Sequence, residues 1–347
     1  MGLIASVAQA DATWPGQSEG DWLLKNYKFA DGEVLPEVKV HYTTIGTPKR
    51  DAAGHITNAA LLLQGTSGTG KNWLRPSFAN EMFGEGQPLD ATKWYVIMPD
   101  AIGRGGSSKP SDGLRMRFPH YRYQDIVDSE HRLLAEHLGV DHLRLLLGGS
   151  MGGMQAWMWT GMYPDLADLV VPMASQPVRI AGRNWINRYV LIQSIRKDPG
   201  WQDGNYKTQP VQWLVTQPGF RLTSESVQAL QDAAPDVESG EKVYRQMQAN
   251  ASREDANDLL YSSEAVMDFA PEPLLPHIRA KVLAINSADD GVNPPELKST
   301  EAGVLTIPGA RFVLIPAGPQ TRGHLTYEQA SVWKSELIRS LKELPEL

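Results

Sequence analysis

The chain has 347 residues, of which 41% are hydrophobic and 21% charged, with a formal net charge of −7 and no cysteine. That length allows one large core or two modest ones, and an acidic balance with no local basic cluster excludes a nucleic-acid-binding surface. The cysteine count excludes a thiol nucleophile, disulfides and thiolate metal ligands.

Leu3–Ala10 is short and apolar and ends Ala8-Gln9-Ala10, the small-x-small pattern of a leader-peptide cleavage site. Residues 1–10 therefore read as the remnant of an export signal, and the expectation is a periplasmic or secreted protein. No later stretch is long and apolar enough to span a membrane. Val38–Ile45 alternates as a strand, and Ala59–Leu63 is a short buried strand that runs into glycine-rich turns. Trp94–Met98 is another strand, ending in Pro99-Asp100, and Tyr123–Leu138 has helical spacing closed by Gly139. Leu143–Leu147, Leu169–Met173, Lys281–Ile285 and Arg311–Ile315 read as further strands, and Trp333, Leu337, Leu341 and Leu344 mark one face of a closing helix. Strands that alternate with helices predict a mostly parallel sheet covered on both faces. Residues 178–277 break that rhythm. They are polar, aromatic-rich and helical by pattern, and read as a helical lid inserted into a core formed by 11–177 and 278–347. Packing of the lid against the core accounts for any single one of its aromatics more simply than substrate contact does.

The chemistry enters at Gly148-Gly-Ser-Met-Gly-Gly153. A Gly-x-Ser-x-Gly turn between an apolar strand and a helix raises its serine hydroxyl on a strained backbone, where side chains at Gly148 and Gly152 would clash. Ser150 is thus a candidate nucleophile. Such a serine needs a base, and the base needs a carboxylate to orient it, in the chain order Ser, then Asp or Glu, then His. Of the eight histidines, His324 alone lies just beyond the last strand and before the closing helix. The acid falls in Ser287-Ala-Asp-Asp-Gly-Val-Asn-Pro294, where Asp289 and Asp290 compete and the spacing to Pro294 favours Asp290. Oxyanion donors are expected from the N–H of Met151 and of Thr66, in the turn after Leu61–Leu63, with Ser67 and Gln64 as candidate substrate contacts. The same turn, Gly65–Lys71, has P-loop spacing. Asn72 stands where magnesium would need a hydroxyl, and Pro76 comes too early in what should be a long helix, so a phosphate loop is not expected. No metal or bound cofactor is implied.

Gly148-Gly-Ser-Met-Gly-Gly-Met-Gln-Ala156, Tyr163-Pro-Asp165, Asp198-Pro-Gly-Trp201 with Gly204-Asn-Tyr206, and Asp255–Tyr261 resemble the homoserine O-acetyltransferase branch of the α/β-hydrolase superfamily. The likeness covers most of the chain. It implies Ser150 as nucleophile, Asp290 as acid, His324 as base, and a helical lid that can serve as a homodimer surface. Three stretches depart from that family's pattern. Gln64-Gly-Thr-Ser-Gly68 replaces His-Ala-Leu-Thr-Gly, Asp100–Gly105 replaces Asn-x-x-Gly-Gly-Cys, and Gln209–Gln231 lacks the family's Ala-Arg and Tyr-Arg-Ser elements. Those departures, with an export signal that separates the chain from cytosolic acetyl-CoA, favour a serine esterase acting on a small-molecule ester. An O-acyltransferase using the same acyl-enzyme is the alternative, and a non-catalytic binding protein is a third reading that the intact Ser-Asp-His order disfavours.

Overall fold

A single eight-stranded sheet organises the protein. The computed structural model describes residues 13–345, so the candidate export signal at 1–10 lies outside the described residues. Two long strands, β1 (Ser18–Lys28) and β2 (Val34–Ile45), form an antiparallel ribbon in which Trp22 faces Val40. β2 then pairs antiparallel with β4 (Tyr95–Pro99). From there on every pairing is parallel, through β3 (Ala59–Leu63), β5 (Leu143–Gly149), β6 (Ala167–Met173), β7 (Lys281–Ser287) and β8 (Arg311–Ile315). The spatial order is β1-β2-β4-β3-β5-β6-β7-β8. β1 has no counterpart among the strands expected from sequence. It is an edge strand with only Leu24 and Tyr27 fully buried, so its apolar alternation is faint.

The continuous apolar runs of the central strands serve two cores. Ala60 and Leu62 of β3 point toward α1 (Pro76–Met82) and the closing helix α10 (Ala330–Leu341), against Phe78, Met82, Trp333 and Leu337. Ala59, Leu61 and Leu63 point the other way, toward α2 (Tyr123–Arg132) and α3 (Met151–Met162), against Val127, Ala156 and Trp159. This is why the strands read as unbroken hydrophobic stretches rather than as alternating ones. α2 continues as a wider helical turn over Leu133–Leu138 and ends on Gly139 in the left-handed conformation.

Between β6 and β7 the chain forms five α-helices: α4 (Gly182–Arg196), α5 (Gln217–Ser224), α6 (Val227–Ala233), α7 (Val237–Ala251) and α8 (Ala256–Glu264). They carry a small core of their own in which Ile192, Ile195, Trp201, Tyr206, Trp213 and Leu260 meet. The segments that carried the family likeness build this scaffold. Asp198 accepts from the Gly200 and Trp213 N–H groups at 2.8 and 3.0 Å, and Asn257 accepts from the Trp201 indole at 2.8 Å. Asp255 caps α8 and accepts from the Tyr206 hydroxyl at 2.7 Å. Among the described residues no helix is long and apolar enough to cross a membrane.

One buried acid in the core is left half-satisfied. Glu130 on α2 is fully buried; one carboxyl oxygen receives the Trp159 indole N–H at 3.3 Å and the other has no partner among the described residues. Burial is the dominant influence on it and pushes its pKa up to about 8. The native state therefore keeps a proton that the unfolded chain releases above its ordinary carboxyl range, and stability falls as pH rises from about 4.5 to about 8. Glu130→Gln is expected to flatten that decline. Thermal melts across this window should show the variant gaining on the wild type by a few kcal/mol at the alkaline end. Parallel curves for the two proteins would contradict the assignment.

Candidate active site

The turn from β5 into α3 sets the position of Ser150. Its backbone stands at φ 56°, ψ −115°, a region that a side-chain-bearing residue occupies only under constraint. The constraint is close backbone packing. A Cβ on Gly148 would lie 2.1 Å from the Gly152 carbonyl oxygen, and one on Gly152 would lie 2.1 Å from the Leu63 carbonyl oxygen. Two further glycines, absent from the expectation, are equally tight. A Cβ on Gly149 would meet the Tyr327 ring at 2.2 Å, and one on Gly153 would meet the Met173 carbonyl oxygen at 2.5 Å.

The structure brings Ser150, His324 and Asp290 into one hydrogen-bonded line. His324 Nε2 lies 2.7 Å from Ser150 Oγ, and its Nδ1 lies 3.0 and 3.1 Å from the two Asp290 carboxylate oxygens. An N–H on Nδ1 donating to the carboxylate leaves Nε2 free to accept the serine proton; this network assigns the tautomer. Asp290 sits in the turn after β7 and is buried, and one of its oxygens also accepts from the Val292 and Asn293 N–H groups at 2.8 and 2.9 Å. Burial alone would raise its pKa. The charge and hydrogen bond of His324, together with those two amides, outweigh burial and hold the carboxyl below its ordinary value. Asn293, which sequence reasoning did not single out, pins this turn by donating to the Ala174 carbonyl at 2.7 Å.

Asp289, the competitor, does something different. It accepts from the Ser287 hydroxyl, from Thr321 Oγ1 at 2.8 Å and from the Gly323 N–H at 3.1 Å. It thereby fastens the loop that delivers His324. The helical insertion presses on the same two loops. A Cβ on Gly323 would be 2.8 Å from Glu225 and Ser226 backbone atoms, and one on Gly291 would be 2.7 Å from the Thr223 carbonyl oxygen.

Ser150 and His324 open into a cavity of about 730 Å³, walled by the Gly65–Gly68 turn on one side and by helices of the insertion on the other. Thr66 and Ser67 line it. The Thr66 N–H meets no acceptor among the described residues, and Met151 N–H, at the first position of α3, has no intrahelical partner. Gln64 behaves otherwise than expected of a substrate contact. It does not line this cavity. It is buried, and its amide donates to the Pro99 carbonyl at 2.9 Å and accepts from the Ala101 N–H at 3.0 Å, bracing the end of β4. Adjacency in sequence to the oxyanion turn says nothing of which way a side chain points. The Gly65–Lys71 stretch is no phosphate loop. The Gly70 N–H is taken by the buried Asp100 carboxylate at 2.7 Å, Lys71 pairs with Glu19 at 2.8 Å, and a short 3-10 turn over Gly70–Leu74 follows. Among the described residues no group of three or more His, Asp or Glu side chains could hold a metal ion.

Two residues of the site had no signal in the sequence. Tyr327, largely buried, packs its ring edge-on against His324 and lines the cavity. Arg188, from α4, reaches the cavity wall beside Thr66.

The α/β hydrolase fold family matches residues 61–321. Over 320 residues the chain is 29% identical to the "Probable acyltransferase" of Methanothermobacter thermautotrophicus, covering 91% of this chain and 95% of that protein. It is 31% identical over 268 residues to the homoserine O-acetyltransferase of Pelobacter propionicus, covering 68% of this chain and 70% of the other. It spans about half the length of several further homoserine O-acetyltransferases that it matches. The fold superposes on an acetylester hydrolase from Corynebacterium glutamicum with a TM-score of 0.81 at 23% identity, over 94% of this chain and 95% of that one. The chain belongs to the α/β-hydrolase fold family, in its homoserine O-acetyltransferase-like part, and is an enzyme of the hydrolase or acyltransferase kind.

Proposed function

We propose that the protein is a carboxylic ester hydrolase that works through an acyl-enzyme on Ser150. The observation that carries this reading is the unbroken line from Asp290 through His324 to Ser150 Oγ, ending in an open cavity. His324 takes the serine proton as Ser150 Oγ attacks the ester carbonyl. The developing oxyanion is held by the Met151 and Thr66 N–H groups, with Ser67 beside them. His324 returns the proton to the leaving alcohol. A water then enters, gives its proton to His324 and attacks the acyl-serine; as the bond to Ser150 breaks, His324 returns that proton to Ser150 Oγ and the acid is released. Asp290 fixes the imidazole tautomer and steadies the imidazolium throughout.

Water rather than an alcohol is favoured as the acceptor on physical grounds. Transfer to an alcohol requires the acyl-enzyme to be kept from water. Here the cavity wall is rich in charged groups, among them Arg75, Arg221 and Arg322, whose side chains are 53%, 44% and 45% exposed. Such a wall holds water close to Ser150. The second reading, an O-acyltransferase, shares every step up to the acyl-enzyme. It is favoured by the likeness to the "Probable acyltransferase" of Methanothermobacter thermautotrophicus along nearly its whole length. The oxyanion turn and the 209–231 stretch lack that family's usual residues, so homoserine is not the proposed acceptor.

Ser150→Ala is expected to lower hydrolysis of a short-chain aryl acetate roughly a thousandfold or more and to abolish labelling by a fluorophosphonate. Retention of either would overturn the mechanism. Asp290→Asn should lower kcat by about 10³–10⁴-fold, because the wrong tautomer is then favoured. Asp289→Asn, which only loosens the histidine loop, should cost a much smaller factor. Steady-state kinetics of the two variants decide between them, and equal losses would contradict the division of roles.

A further inference from the structure

The cavity beside Ser150 contains a buried cation with no carboxylate to answer it. Arg104 and Arg188 are each 5% exposed. Arg104 has its counter-charge, with Glu254 at 2.7 Å. Arg188 has none among the described residues. Its Nε donates to the Asn184 amide oxygen at 3.1 Å, and one terminal nitrogen reaches Thr66 Oγ1 at 3.4 Å. The phenol of Tyr123 is close by. Burial raises the Tyr123 pKa and the Arg188 guanidinium draws it back, so the group beside the arginine is a neutral one. Three of the more exposed arginines of the cavity wall are matched, while Arg253, also on the wall, is open to solvent and needs no partner. Arg221 and Arg322 share Glu225 at 2.9 and 3.0 Å, and Arg75 meets Glu328 at 3.1 Å.

A guanidinium has five N–H donors and cannot discharge itself by losing a proton, so burying one against neutral groups is costly. It is retained most economically where an anion completes it, and its planar fork matches a carboxylate in bidentate fashion. Arg188 lines the cavity that holds Ser150 and touches the turn proposed to bind the oxyanion. An anion on it would therefore be joined to the scissile carbonyl by a short tether.

We infer that Arg188 anchors a free carboxylate on the substrate, so that the enzyme takes esters one half of which is an acid. The inference rests on the hydrolase reading of the same site. The carboxylate can belong to the acyl half or to the alcohol half, and two matched pairs separate these. Monomethyl succinate against dimethyl succinate tests the acyl half, and 3-acetoxypropanoate against its methyl ester tests the alcohol half. In at least one pair the wild type should favour the anionic member in kcat/KM. Arg188→Gln should reduce that anionic-to-neutral ratio about tenfold or more, mainly through KM, and Arg188→Lys should reduce it less. A wild type that favours the neutral ester in both pairs, or a ratio that Arg188→Gln leaves in place, would overturn the inference.

Binding gives a readout that does not need turnover. Ser150→Ala should bind the preferred anionic ester in calorimetry, and adding Arg188→Gln should remove that binding; equal binding by the two would also overturn the inference. If the anionic ester binds in this Arg188-dependent way while no ester is hydrolysed by the wild type, the carboxylate anchor stands and the hydrolase reading falls. If aryl acetates are hydrolysed through Ser150 with no anionic preference, the hydrolase reading stands and the anchor falls.

Discussion

Ser150 is held at a positive φ that costs a residue with a Cβ on the order of 1–3 kcal/mol, and its surroundings give it no way to relax. β5 ends there, α3 begins there, and Gly148 and Gly152 let the turn pass within contact distance of the neighbouring strand. The rest of the molecule meets this demand. β3 and β6 flank β5 in parallel register and fix the strand end from both sides. α3 is buried on nearly all faces, so it cannot shift to relieve the strain. Asp290 and His324, the proposed acid and base, then come from turns that follow β7 and β8, on the same edge of the sheet as Ser150. Ligands gather at that edge of parallel sheets because the strands end there in loops free to vary.

The second layer of the site is a set of braces that never touch the serine. Asp289 ties the acid turn to the histidine loop, Asn293 ties it to the end of β6, and Asp100 and Gln64 lock the oxyanion turn to β4. The helical insertion adds a further brace, where Thr223 to Ser226 presses on Gly291 and Gly323, the neighbours of Asp290 and His324. The insertion is thus positioned both to shape the cavity and to hold Asp290 and His324 in line with Ser150.

Much of this was legible in the sequence, for identifiable reasons. The order Ser150, Asp290, His324 follows from strand spacing, because each residue lies just past an apolar run that reads as a strand. Glycine at 148 and 152 follows from sterics. What could not be read is side-chain direction and long-range pairing. Asp289 and Asp290 are adjacent and chemically alike; the spacing to Pro294 favours Asp290, but the separate bracing task of Asp289 on Thr321 and Gly323 shows only in the fold. Gln64 lies next to the oxyanion turn yet points back into the core. Arg188 is one of several basic residues on α4, and nothing local marks it as the buried one. β1 leaves no period in the sequence because an edge strand buries too little to show one.

The central claim is that an acyl group passes through Ser150 on its way to water. Rapid acid quench of the enzyme during turnover of an acetyl ester, followed by peptide mass mapping, tests this most directly. The acetyl group should be found on the peptide that contains Ser150, and in buffer alone it should decay to free acetate at the rate of turnover, whether or not an alcohol is added. An unmodified Ser150, or an acetyl-serine that persists in water until an alcohol removes it, would contradict the claim.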